Sequence, residues 1–241
     1  MKSLAQYLQN QSLGFCPGAF GALELLRHRP SVARELWLHP AASGEGIDKL
    51  TQQAQSLGIP IEQRGPWIER TSKKGNCHAL AVFERYPAAP QPGAHLLLHE
   101  LQDAGNLGTL VRTALALGFG TVAVVGNLDA FSPAAVRAGM GAAFALEVPA
   151  YDSFEAYRAA FPDQKIYPLM TDGATELTQT AFTNPATTLV LGTEASGLPP
   201  RAAGWGSTIA IRQSSHVDSL NVACAGAIAM QVVSTALGLL R

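Results

Sequence analysis

The sequence predicts an α/β protein whose larger part is a mostly parallel sheet. Strand-length apolar runs at residues 95–99, 121–125, 165–169 and 187–191 are the first observation, and helical patterns in the gaps, at 107–117, 133–138 and 154–160, are the second. The third is composition: 47% of the residues are apolar and 15% charged, enough for a packed core and far from the disordered corner. At 241 residues the chain holds one large domain or two modest ones.

Before the regular alternation lies a shorter α/β layer. Helical patterns at 18–28 and 47–57 alternate there with strand-like runs at 35–38, 59–61 and 79–83. Residues 86–93 read Tyr-Pro-Ala-Ala-Pro-Gln-Pro-Gly, which disfavours both helix and central strand. The expected organisation is therefore a small α/β domain at 1–86, a linker at 87–93 and a larger domain at 94–241. Residues 1–90 carry a net charge of +3 and residues 91–241 a net charge of −4. The chain as a whole, at −1, is no generic polyanion binder, so any nucleic-acid contact must be local. The segment Lys73-Lys74-Gly75-Asn76-Cys77-His78 reads as a basic loop entering a strand, able to hold a phosphate or to serve as a plain polar turn.

The Met1 end shows no basic patch followed by an apolar run and a small-residue cleavage site, so no secretory signal is read and the cytoplasm is expected. Cys16, Cys77 and Cys224 lack the paired spacing of a zinc or redox motif and are expected as reduced packing residues. Residues 219–240 carry no charge and are long enough to span a bilayer. Their small residues, interrupted by Asn221, Gln231, Ser234 and Thr235, fit better a helix buried between a sheet and a partner surface. No membrane is expected.

In a parallel α/β sheet the ligand crevice lies beyond the carboxyl ends of the strands, so the loops there carry the chemistry. One runs from His99 through Asn106-Leu107-Gly108 into a helix bearing Arg112-Thr113-Ala114. Asn106 suits the N-cap of that helix. Arg112 falls about 100° or more from the centre of its apolar arc, free to face away from the core. A second loop, Gly192-Thr193-Glu194-Ala195-Ser196-Gly197-Leu198, sets a lone carboxylate between glycines just past a strand. A third, Asp218-Ser219-Leu220-Asn221-Val222, opens the long uncharged helix, where free amides suit polar or anionic ligand groups; Ser219 is alternatively just a cap.

Taken together and in this order, the three loops resemble the motifs of the SpoU/TrmH family of RNA ribose 2′-O-methyltransferases. The resemblance covers about residues 93–241, and the N-terminal part is similar to the small RNA-recognition domain that many members carry. It implies an α/β fold with a C-terminal trefoil knot, and S-adenosylmethionine as cofactor, held largely by backbone near Leu169, Gly192, Ile211 and Leu220. It further implies a homodimer through the C-terminal helix. Arg112 would sit at the reacting hydroxyl, with Asn106, Glu194, Ser219 and Asn221 positioning it and the ribose-phosphate. Two residues depart from the family pattern: Ala104 stands where proline is common, and Gly139 where serine is common.

A ribose hydroxyl is a poor nucleophile until its proton is withdrawn, so such a site must align two reactants and help remove one proton. A guanidinium stays protonated in ordinary surroundings, which favours Arg112 as phosphate clamp and electrostatic stabiliser over literal base. The expected substrate is ribosomal RNA, with transfer RNA the alternative. Two other readings stay open. One is a catalytically silent RNA-binding protein of the same fold. The other is a nucleotide-dependent oxidoreductase suggested by Gly118-Phe119-Gly120 and Gly139-Met140-Gly141, neither of which completes a dinucleotide fingerprint.

Overall fold

The structure, a computed structural model, describes residues 3–73 and 76–240. Lys74 and Gly75 of the basic loop therefore lie outside the described residues. The chain divides into two compact units, Met1–Pro87 with Asp129–Ala145, and Ala88–Leu128 with Leu146–Arg241.

The first unit opens with α1 (Leu4–Gln9), which starts in a capping box of Ser3 and Gln6. There follow β1 (Leu13–Pro17), α2 (Ala19–His28), β2 (Ala33–Leu38), α3 (Glu45–Ser56), β3 (Ile61–Gln63), α4 (Gly65–Ser72) and β4 (Ala79–Glu84). The four strands form one mixed sheet in the order β1-β4-β2-β3, with β4 antiparallel to both neighbours and β2–β3 parallel. One face packs Leu25, Leu36, Leu50 and Phe83 into a core. On the other, Trp37 meets Tyr7 and Trp67 edge-on, at ring separations of 5.4 and 5.3 Å. Glu35 accepts from the Tyr7 hydroxyl and, at 2.8 Å, from Trp37 Nε1, so neither polar ring tip is left unpaired.

The second unit is built on β5 (His95–His99), α5 (Ala104–Ala116) and β6 (Thr121–Val125). The chain then contributes residues 129–145, with the short helix α6 (Pro133–Ala138), to the first unit, where Val136 and Phe144 complete the core. It resumes with β7 (Ala150–Tyr151), α7 (Phe154–Ala160), β8 (Lys165–Pro168), β9 (Thr175–Glu176), β10 (Thr187–Leu191), β11 (Ile209–Ala210) and α8 (Val222–Leu237). Five strands pair in parallel in the order β7-β6-β5-β10-β8. The expected parallel sheet is present, but 94–241 is not one contiguous unit. Residues 129–145 carry Val136 and Phe144, whose burial is satisfied in the other core.

The Pro-rich stretch is anchored to the second unit. Ala89 N donates to the Glu147 carboxylate at 2.7 Å and Gln91 N to Thr121 Oγ1 at 2.9 Å. Below it runs a buried polar chain: Gln91 O with His95 Nε2 (2.7 Å), His95 Nδ1 with the Tyr157 hydroxyl (2.9 Å), that hydroxyl with Thr188 Oγ1 (2.7 Å). Gln91 O only accepts, so Nε2 carries the proton and Nδ1 accepts from Tyr157 in the neutral ring. Burial keeps the His95 pKa below the ordinary histidine value, against the opposing pull of the Gln91 carbonyl.

The last helix is held by close approach. A Cβ on Gly226 would overlap Leu110 Cδ2 and lie 2.7 Å from Leu191 Cδ1, so only glycine lets α8 settle against α5 and β10. No described helix is long and apolar enough to cross a membrane. Among the cysteines, Cys16 and Cys77 are buried, but Cys224 is exposed on α8 and is not a packing residue. It lies on the flank of the helix opposite the buried row Ala223, Gly226, Met230 and Val233.

Candidate active site

The site begins at the carboxyl ends of β5, β10 and β8. The chain order of the strands reverses between β5 and β10, the switch point at which open α/β sheets leave a crevice. After β5, Glu100 adopts a left-handed conformation (φ 56°), unusual for a residue with a Cβ. Its amide donates to Val125 O at 2.7 Å, and the turn sends the chain toward the start of α5.

Asp103, not Asn106, caps α5: its side chain accepts from Asn106 N at 2.7 Å, and the helix starts at Ala104. Both are good capping types, and the earlier one prevails because helical geometry already holds at residue 104. The amide side chain of Asn106 is thereby released for other work. Ala104 occupies the first helical position, where an N–H has no helical partner and proline is tolerated, so alanine there sacrifices no bond.

Past β10, Gly192 is obligatory because a Cβ would overlap the Gly197 backbone. The chain doubles back on itself, with Thr193 N to Gly197 O at 3.0 Å and Gly197 N to Thr193 O at 3.1 Å. This hairpin delivers Glu194 to the start of α5. Its Oε2 accepts from Gln102 N (3.0 Å), and its Oε1 from Asp103 N and the Asn106 side chain (3.0 Å each). Partial burial alone would raise the carboxyl pKa; these hydrogen bonds outweigh it and hold Glu194 below the usual carboxylate range.

From the other side, Asn221 Nδ2 donates to Asn106 Oδ1 at 3.3 Å, while its own Oδ1 caps α8 by accepting from Ala223 N (2.8 Å) and Cys224 N (3.2 Å). The α8 cap is therefore Asn221, and Ser219 is not needed for it. Three loops separated by up to 115 positions meet in the chain Glu194–Asn106–Asn221.

Beside this junction opens a cavity of about 630 Å³. Leu169, Gly192, Ile211 and Leu220 all line it, together with Glu194 and Ser219. Asn106 and Asn221 join it through Glu194. Arg112 is exposed on α5, six residues beyond Asn106, and is not among the described residues lining the cavity. Thr171, Asp172 and Gln213 also line it, and none of them was expected. The crevice rule applied to the polar turn after β8 would have singled out the first two. Among the described residues no cluster of His, Cys, Asp or Glu suits a metal ion.

The fold and the three-loop junction define a methyltransferase-like α/β protein, and residues 93–231 match the model of the SpoU rRNA Methylase family. The chain belongs to that family. It is 32% identical over 155 residues to an uncharacterized tRNA/rRNA methyltransferase of Synechocystis, a match covering 61% of this chain and 56% of that protein. The match thus spans little more than half the length of that relative. Over 233 residues it is 26% identical to the 23S rRNA (guanosine-2′-O-)-methyltransferase RlmB of Pseudomonas aeruginosa, covering 88% and 92% of the two chains. The AdoMet-bound rRNA methyltransferase from Sinorhizobium meliloti superposes with a TM-score of 0.80, at 22% identity over 98% of this chain and 92% of that one.

Proposed function

We propose that the protein transfers a methyl group from S-adenosylmethionine to a ribose 2′-hydroxyl of structured RNA, ribosomal RNA in the first place and transfer RNA as the alternative. The observation that carries this reading is the Glu194–Asn106–Asn221 junction at the edge of a cavity lined by Leu169, Gly192, Ile211 and Leu220. The cavity suits the cofactor chemically: Leu169, Leu191, Ile211 and Val222 offer apolar surface for a purine, and Thr171, Thr193 and Gln213 offer polar groups for a sugar and an amino acid. When bound, S-adenosylmethionine would supply an electrophilic methyl on a sulfonium; the acceptor oxygen must be aligned with it and give up its proton.

The chain's own residues do the aligning. Both oxygens of Glu194 are committed to N–H donors, so Glu194 acts as a positioning residue and not as the proton acceptor. Asn106, Ser219 and Asn221 orient the ribose-phosphate. Arg112, exposed on α5, clamps phosphate and stabilises developing charge. On this reading the small N-terminal domain contributes RNA recognition, the C-terminal part of the chain forms the family's trefoil knot, and the protein acts in the cytoplasm. The uncharged exposed flank of α8, with Cys224, Ile228 and Gln231, serves a homodimer. RlmB, which is named for a guanosine 2′-O target in 23S rRNA, supports ribosomal RNA ahead of transfer RNA.

The test is tritium transfer from labelled S-adenosylmethionine to ribosomal and transfer RNA transcripts, with ribose methylation mapped in cells with and without the protein. Arg112→Ala is expected to abolish transfer while calorimetric cofactor binding survives; near-normal turnover in that variant refutes its role. Retention of RNA with no label transferred by the unaltered protein points instead to a silent RNA-binding member of the family.

A further inference from the structure

None of the described residues of the basic loop ending at His78 lines the cavity, and they lie at one edge of the first unit's sheet. The strand register brings the ends of β1, β2 and β3 and the start of β4 together there: Pro17 faces Leu80, Leu38 faces Ala79, and Gln63 faces Leu38. His39 N donates to His78 O at 2.9 Å, and the two imidazoles stack with ring centres 5.4 Å apart. Gly65 is held glycine by the His39 ring, whose Cδ2 would lie 2.8 Å from a Cβ. Gly18 N donates to Ala79 O at 2.8 Å, which places the first turn of α2 beside the same strand end. In that turn Phe20 is 65% exposed, the most exposed of the large apolar side chains described.

Lys73, which ends α4 in a left-handed conformation, is exposed and leads into the loop. Of the acidic groups at this edge, Glu69 lies 3.6 Å from His39 Nε2 and Glu45 lies 2.6 Å from Lys49 Nζ, with Asp48 also in the first turn of α3; Lys73 is exposed and His78 partly exposed. α2, α3 and α4 all begin at this edge, and none has a side-chain cap, whereas α1, α5, α6, α7 and α8 all do. Lys73 and the partly exposed imidazole N–H groups offer donors to phosphate, and an exposed aromatic ring at the same edge is a surface on which an unpaired base stacks.

We infer that this edge is an RNA-binding surface in which Phe20 stacks an unpaired base while Lys73 and His78 hold the adjoining phosphates. The inference rests on the reading of the substrate as RNA, and it places recognition on a surface distinct from the methyl-transfer cavity.

The test measures retention of in-vitro-transcribed 23S ribosomal RNA by the full-length protein across a series of KCl concentrations. Phe20→Ala is expected to weaken binding about tenfold or more, and Phe20→Tyr to restore it. Lys73→Glu is expected to weaken binding and to flatten the dependence on salt by about one counterion. Calorimetric affinity for S-adenosylmethionine stays unchanged in all three, and so does the unfolding midpoint, since Phe20 and Lys73 are surface side chains. Ultraviolet cross-links to the RNA fall on peptides containing Phe20 or His78. If Phe20→Ala and Lys73→Glu bind and methylate RNA as the unaltered protein does, or the cross-links fall elsewhere, this inference is overturned and the proposed function stands. If the unaltered protein neither retains nor methylates ribosomal or transfer RNA, the proposed function falls and this inference falls with it.

Discussion

Glu194 is a carboxylate whose job is to be fully occupied. Removing it in Glu194→Ala leaves the Gln102 and Asp103 amides to water and the half-buried Asn106 side chain without its acceptor, a local cost of about 1 kcal/mol. The expected result is a loss of methyl transfer of more than tenfold, with an unfolding midpoint that moves by only a few degrees, read by label transfer and thermal denaturation. The same group sets an acid limit. Its pKa is lower folded than unfolded, so the stabilisation it gives is complete above the ordinary carboxylate value and is lost as pH falls through the depressed one. The residues of this junction were legible in the sequence, because Asn106, Glu194 and Asn221 stand in recognisable loops. Their division of labour was not. Asp103 and Asn106 are equally good caps on paper, and only the start of the helix at Ala104 decides between them.

Helices and strands show a similar split. β5, β6 and β10 were read with their observed ends, because a strand buried on both faces is an unbroken apolar run. β1 went unseen because Gly14 and Pro17 disguise it, and β7, β9 and β11 are two residues each, too short for any period to register. α8 was expected as a buried helix, yet its start came out two residues later than the Ser219 alternative allowed. Its seating on α5 makes a sharp prediction. Gly226→Val forces side-chain atoms into the space of Leu110 and Leu191, and overpacking of this kind costs about 1–3 kcal/mol. Denaturant unfolding is expected to show a lower midpoint, and cofactor binding to weaken with it, since Leu191 and Val222 line the cavity.

At the scale of the molecule, two buried histidines set the response to mild acid. His95 and His99 both have pKa values lowered by burial, His95 within its hydrogen-bonded chain and His99 against the Trp205 ring at 5.1 Å. Both are therefore more readily protonated when unfolded. Stability is full above the ordinary histidine value of 6.5 and declines as pH falls from there through the folded values. The unfolding midpoint should drop between about pH 7 and pH 5, and His95→Gln should make that drop shallower; an unchanged slope would remove His95 from the account. This dependence was hidden in the sequence, where His95 and His99 are only the ends of an apolar run. The α/β architecture was visible, but not the assignment of residues 129–145 to the first unit, since nothing in Pro133–Ala138 names the core that Val136 and Phe144 will fill.

That assignment governs how the gene can be cut. The polypeptide passes between its two halves at 87–88, at 128–129 and again at 145–146, so neither half is a continuous stretch of coding sequence. A truncation at the proline-rich stretch would strand Val136 and Phe144 as sticky apolar surface on the remaining piece and leave a hole in the discarded one. Exchanging the first unit between relatives therefore requires moving two separate stretches at once.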